Sequence, residues 1–241
     1  MNDPSAEIAR LEAVAEVYDP SNPAEEFDYH TKRLHVEVMQ PFIRGRHLLE
    51  MGCATGELTS LLVGTGARYD VVEGSSRNID ATRARVPQAT YFCALWEEFS
   101  PAERYSDIVL NCALEHVEDP VSTLARAREW LDGDGVIHVV VPNADSIHRL
   151  VGVEMGILEG RRSLSESDRR IGHRRVYDLD HLISDVRAAG LQPVHWQGIF
   201  FKVVSNQQML GWDPRLIHAL HTVGQQFPSN CAELYVVAKP G

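Results

Sequence analysis

Cysteine is scarce. The 241-residue chain has 4, Cys53, Cys93, Cys112 and Cys231, and no two of them form a Cys-x-x-Cys pair. That argues against a disulfide framework and against a structural zinc site built on thiolates. Basic residues are also short, with 23 Lys and Arg against 34 Asp and Glu and a net charge of -11. Sequence-independent nucleic-acid binding needs a broad basic footprint, so no nucleic-acid partner is expected. No apolar run nears the roughly 20 residues of a bilayer crossing. The opening MNDPSAEIARLEAVAEVYDP is acidic, with helical apolar spacing, and has neither the basic start nor the apolar stretch of a signal peptide. No membrane partner is expected, and the chain reads as cytoplasmic. Internal repeats, low-complexity segments and linker-like composition are missing too.

What is present suits a chain with a buried core: 44% hydrophobic and 24% charged residues. From Arg46 onward, short apolar runs alternate with helical patterns. HLLEM, RYDVVEG, ATYFCA, DIVLNCA and GVIHVVVP read as strands. GELTSLLVG, SSRNIDATRAR and DPVSTLARAREWL read as helices, the second capped by Ser75 or Ser76 and the third closed by the turn WLDGDG. Such alternation implies an α/β fold whose parallel sheet is covered on both faces. Ligands then bind at the carboxyl ends of the strands. The expected organisation is a single domain, 1–241. It comprises an N-terminal helical cover at 1–44, a ligand-binding core at 45–142, a polar insertion or lid at 143–177 and the C-terminal part of the sheet at 178–241.

The stretch LLEMGCATG places Glu50 directly before a glycine turn. A buried carboxylate there needs a partner. Gly52 and Gly56 let the backbone turn tightly and admit a ligand. The dinucleotide fingerprint fails, because Ala54 takes its second glycine position and Glu57 its third. A Walker loop is excluded by the missing Gly-Lys-Ser/Thr. Glu50 would repel phosphate and welcome an ammonium. Some 20 residues on, Glu73 of VVEG ends the second strand, where a carboxylate accepts hydrogen bonds from ribose hydroxyls. A ribose and an amino acid without phosphate describe S-adenosylmethionine.

These residues resemble the class I S-adenosylmethionine-dependent methyltransferases. LLEMGCATGELT looks like their first motif, with Ala54 as the departure, and VVEG like their ribose-binding acid. YSDIVLNCALEHVEDP is similar to their fourth-strand motif and GVIHVVVPN to their fifth strand. The resemblance covers residues 27 to 142 well. It implies a Rossmann-like doubly wound seven-stranded sheet, mostly parallel, with an antiparallel last strand from ELYVVAK. The stretches PNADSIHR and GHRRVYD resemble the small-molecule methyltransferases of polysaccharide or antibiotic pathways, which implies a small-molecule acceptor.

The cofactor-binding residues expected on this basis are Glu50, Gly52, Cys53, Ala54, Gly56, Glu73, Gly74, Leu95, Trp96, Asn111 and Ala113. Ala94 stands where many members have an acid, so Glu97 is the alternative contact for the adenine amine. Tyr29 and Arg33, four apart on one helix face, are also expected to bind the cofactor, covering the site and holding its carboxylate through Arg33. His116, His148 and His173 are the candidate bases. In RRSLSESDRRIGHRR six Arg stand against Glu166 and Asp168, a local +4. Arginine forks suit anions, so Arg149, Arg174, Arg175 and Tyr177, with Lys202 and Asn206, are the acceptor-side candidates. Histidine spacing gives no metal site. The expected reaction is methyl transfer to O or N of a small metabolite, neutral or anionic, such as a sugar, nucleotide-sugar or secondary-metabolite intermediate. The alternatives are a NAD-dependent oxidoreductase or a nonenzymatic S-adenosylmethionine-binding protein. RNA or protein acceptors are disfavoured by the acidity and by the lack of an Asn-Pro-Pro-Tyr-type motif.

Overall fold

The sheet is built from the apolar runs. A computed structural model describes residues 3–19 and 26–241. Its strands are β1 (His47–Met51), β2 (Arg68–Glu73), β3 (Thr90–Cys93), β4 (Tyr105–Asn111), β5 (Leu131–Pro142), β6 (Leu191–Ile199) and β7 (Glu233–Pro240). They form one seven-stranded sheet in the order β3-β2-β1-β4-β5-β7-β6. β1 to β5 pair in parallel, and β7 runs antiparallel between β5 and β6. The expected architecture is present, including the reversed ELYVVAK strand. β1 and β4 are buried along their whole length, as strands covered on both faces must be. β6, at the edge, alternates exposed and half-buried positions between buried ends.

The helices are α1 (Pro4–Val17), α2 (Asp28–Met39), α3 (Glu57–Leu62), α4 (Ser76–Arg85), α5 (Pro120–Glu129), α6 (Ile147–Glu154), α7 (Glu166–Arg170), α8 (Leu179–Ala188), α9 (Asn206–Met209) and α10 (Pro214–Gly224). Ser75 caps α4, its hydroxyl accepting from the Asn78 N–H at 3.2 Å. Asp119 caps α5 ahead of Pro120. One expectation fails. LDGDG is not a turn but the start of β5, because Leu131 pairs with Tyr105 and a bulge between Tyr105 and Asp107 absorbs the irregular register. Residues 1–2 and 20–25 of the expected N-terminal cover lie outside the described residues.

Two apolar layers sandwich the sheet. One centres on Leu49, Ile108, Val139 and Leu182, the other on Leu48, Val109, Val140 and Phe200. The strand order reverses between β1 and β4, and there a crevice opens at the carboxyl ends. α1 lies over that crevice. Its Glu12 accepts from the Ser76 N–H at 2.7 Å and the Ser75 hydroxyl at 2.9 Å, placing a carboxylate at the amino end of α4, where the helix dipole favours one. Among the described residues no helix is long and apolar enough to cross a membrane.

Candidate active site

A cleft of about 1480 Å³ occupies this crevice, floored by the ends of β1, β2, β4 and β5 and walled by α1, α2 and α6. At the β1 end Gly52 has φ +86, and a Cβ there would stand 3.2 Å from the Trp96 ring. Ala54, in place of the usual glycine, also adopts a left-handed backbone at φ 45. The departure therefore strains the backbone, at a cost of roughly 1 kcal/mol, more than it crowds a ligand. Gly56 also has positive φ, and a Cβ would strike Thr82 at 2.7 Å. It serves the packing of the turn and does not line the cleft.

Both strand-end glutamates are buried and line the cleft. Glu73 braces the turn, with Oε2 accepting from the Cys53 N–H at 3.1 Å and Oε1 from the Ser75 N–H at 2.8 Å. Burial raises its carboxyl above the ordinary value despite these bonds. Glu50 accepts from Thr59 at 2.7 Å and Tyr69 at 2.9 Å, both on Oε2. Burial pushes it up to about 7. A carboxyl whose folded pKa lies above its unfolded value favours folding most fully below about pH 4.5, and the advantage is lost as pH rises through about 7. Glu50→Gln is accordingly expected to raise the stability of the ligand-free protein at pH 8, by on the order of 1 to 3 kcal/mol, with little change at pH 5. Equal denaturation midpoints for both proteins at pH 8 would contradict this.

The residues present fit S-adenosylmethionine. Leu95 and Trp96 line the cleft beside Gly74, against which Leu11 of α1 closes. Asn111 and Ala113 line it at the β4 end with Cys53 and Ala54, and the buried Asn111 Oδ1 has no hydrogen-bond partner among the described residues. Glu50 and Glu73 stand at the turn, which suits a ligand with an amino group and no phosphate. Glu97 also lines the cleft.

The histidines separate by environment. Burial and cationic neighbours press His116 down to about 3 and His148 to about 2, so both are neutral and weakly basic. His173 behaves oppositely: burial would lower it, but Asp168 and Glu115 outweigh that and raise it. Its Nδ1 lies 3.3 Å from Asp168 and its Nε2 lies 3.8 Å from Glu115. Glu115 was not among the residues singled out from sequence. It is fully buried, lines the cleft, and neither carboxylate oxygen has a hydrogen-bond partner among the described residues. Burial lifts it to about 7. The equally buried Asp107 is different, for it accepts from the Arg44 and Gly45 N–H groups, Ser106 and His138. Asp107 is satisfied inside the fold; Glu115 faces the cleft unbonded among the described residues.

Several sequence candidates have other positions. Tyr29 and Arg33 stack on each other at 5.8 Å outside the cleft. The same helix instead presents Asp28 and Lys32, one residue earlier on each turn. Arg174 bonds the His116 carbonyl at 2.8 Å, Glu118 at 3.1 Å and Glu7 at 3.2 Å. Arg175 holds the carbonyls of Leu114, Val117 and Glu118. Arg161 and Arg162 pair with Asp145 and Asp178. Tyr177 is buried, its hydroxyl on Asp185 at 3.1 Å. Arg149 lines the cleft, but its guanidinium meets Asp168 and the carbonyls of Arg161 and Ser163. Much of the arginine excess therefore closes on the protein itself. Arg175→Ala is expected to cost about 2 kcal/mol of stability, since it leaves three carbonyls short of a charged donor. Unchanged stability with a selectively raised acceptor KM would reverse that assignment. Lys202, Asn206 and His148 do line the cleft.

Residues 12–196 match the model of a family described as a methyltransferase domain. A ubiquinone biosynthesis O-methyltransferase of Cereibacter sphaeroides is 30% identical over 224 residues, covering 83% of this chain and 87% of that protein. Two solved structures share the fold at low identity. The 1,6-didemethyltoxoflavin-N1-methyltransferase of Burkholderia thailandensis, with bound 1,6-didemethyltoxoflavin and S-adenosylhomocysteine, superposes with TM-score 0.63 at 16% identity over 100% of this chain and 92% of that one. The CcbJ methyltransferase of Streptomyces caelestis gives 0.60 at 17% over 96% and 97%. With the sheet order, the glycine turn and its paired acids already in place, the chain belongs to the methyltransferase-domain family, an S-adenosylmethionine-dependent enzyme of the class I fold.

Proposed function

We propose that the enzyme methylates a hydroxyl oxygen of a small acceptor, with Glu115 and His173 taking the proton. The observation that carries this reading is the buried Glu115 carboxylate, unbonded among the described residues, facing the cleft beside a histidine that Asp168 keeps basic. When bound, S-adenosylmethionine supplies an activated methyl on a sulfonium sulfur. What remains for the protein is to align the acceptor oxygen, exclude water and remove one proton. A neutral amine would need no base before transfer; a hydroxyl benefits from one with a pKa near the working pH. Glu115 and His173 titrate as a coupled pair, so the proton belongs to the pair rather than to either residue.

Glu50, Glu73 and Asn111 are placed to hold the amino-acid and ribose ends, and Leu95 and Trp96 the base. The acceptor then takes the part of the cleft near Glu115, His148, Lys202 and Asn206. The rim there carries exposed Val151, Met155 and Ile157, which suit an acceptor with an apolar flank. The O-methyltransferase name of the 30% identical relative supports oxygen as the acceptor atom. The net charge of -11 favours a small molecule over RNA and fits a cytoplasmic enzyme.

The test is a panel of paired hydroxyl and amine compounds of matched skeleton, incubated with methyl-labelled S-adenosylmethionine and resolved by mass spectrometry. Methyl ethers are the expected products. Labelled amines alone would overturn the oxygen assignment.

A further inference from the structure

Two lysine side chains face the cleft with nothing bonded to them among the described residues. Lys32, on α2 one turn beyond Asp28, is only 7% exposed. Lys202 follows β6, and its carbonyl accepts from the His148 N–H at 3.2 Å. Both line the cleft. Among the described residues neither makes a hydrogen bond or an ion pair.

Of the acids around them, Glu115 is unbonded among the described residues and is kept for the acceptor hydroxyl, while Asp28 and Glu233 are engaged elsewhere. Asp28 accepts from the Tyr18 hydroxyl at 2.9 Å and from Asn206 Nδ2 at 3.0 Å. Glu233 meets His35 Nε2 at 2.9 Å and the Cys112 thiol at 3.9 Å. An ammonium held out of water without hydrogen bonds is costly. Burial alone would lower Lys32, yet its acidic surroundings, Asp28 and Glu233 among them, outweigh that and keep it charged. Burial pulls Lys202 below its ordinary value, and an anion placed beside it would restore its proton. Six N–H donors on two ammonium groups thus face the cleft without a hydrogen-bond acceptor among the described residues.

We propose that Lys32 and Lys202 form an anion subsite that takes a carboxylate of the methyl acceptor and fixes its hydroxyl toward Glu115. The proposal rests on reading this part of the cleft as the acceptor's. A singly charged carboxylate suits the setting, because a phosphate dianion would meet Asp28 and Glu233 with twice the charge. The role expected of the arginine-rich insertion thus passes to two lysines on other elements.

The test uses benzoate and benzamide, matched in shape and differing in charge, titrated by NMR into protein saturated with S-adenosylhomocysteine. The wild type is expected to bind benzoate about tenfold more tightly than benzamide, the effect of a charged hydrogen bond. Lys32→Gln and Lys202→Gln should each cut that preference to below about threefold, while Lys32→Arg keeps most of it. Lys202 is only half-buried, so Lys202→Gln carries the test alone if Lys32→Gln fails to fold. Equal affinities for the two probes, no binding of either, or a preference that survives both substitutions would overturn the subsite. Binding of S-adenosylhomocysteine is read in the same samples. Its loss in the wild type would defeat the methyltransferase reading, whereas its retention without anion preference defeats only the subsite.

Discussion

Glu115→Gln is expected to lower kcat by about 100-fold or more, the usual worth of a positioned base, with the S-adenosylhomocysteine dissociation constant little changed. The substitution keeps the volume and removes the charge. Because Glu115 has no internal hydrogen bond to lose among the described residues, the folded protein should tolerate the amide. The pH profile separates catalysis from structure. Glu115 stands at about 7 and must be ionised to accept a proton, so wild-type kcat should rise with pH through that value. In the variant that limb should disappear or move to the histidine. His173→Asn should move the same limb to higher pH, since burial of Glu115 is opposed chiefly by His173. Wild-type turnover and an unshifted profile in Glu115→Gln would remove the carboxylate from the mechanism and return the proton to His173 alone.

The other large effect concerns the cofactor half. Glu73→Ala is expected to weaken S-adenosylhomocysteine binding by at least about tenfold, through loss of hydrogen bonds to a charged acceptor worth roughly 1.5–3 kcal/mol each. Two mechanisms add. In the proposed role the side chain accepts from ribose hydroxyls, and it also ties the Cys53 N–H in the glycine turn to the Ser75 N–H at the amino end of α4. Glu73→Gln keeps an acceptor oxygen and the reach of the side chain, so it should lose less. Ligand-free stability is a poor guide here, because deleting a buried carboxylate also removes its desolvation penalty. Calorimetry with S-adenosylhomocysteine is the deciding measurement, and an unchanged dissociation constant for Glu73→Ala would strip Glu73 of both roles.

The sheet, the glycine turn and its two acids were legible because each is written in contiguous residues. HLLEM and DIVLN are apolar enough to demand burial on both faces, and the acid-glycine turn follows the first of them directly. The acceptor half was not legible, and α2 shows why. Helical periodicity says that residues four apart share a face, but it does not say which face is turned inward. Tyr29 with Arg33 and Asp28 with Lys32 satisfy the same spacing. Packing of Leu34, Val38 and Met39 into the core selects the second pair, about 100° around the helix from the first.

The loop after β4 gives the same lesson at shorter range. Glu115 and His116 are neighbours in LEHV, and the histidine drew notice as a familiar base. Cys112 at φ 51 bends the chain, and the short 3-10 turn Leu114–His116 then carries Glu115 into the cleft unpartnered. Its partner His173 arrives from 58 residues away in sequence, held by Asp168, while Arg174 and Arg175 tie down the loop carbonyls. Local sequence thus determined which segments become strands, where the turn forms and that a phosphate-free nucleoside suits it, because those depend on backbone conformation and burial over a few residues. Only the tertiary structure decided which buried charges are satisfied by the protein and which are left for a ligand, since that depends on partners brought together from distant segments.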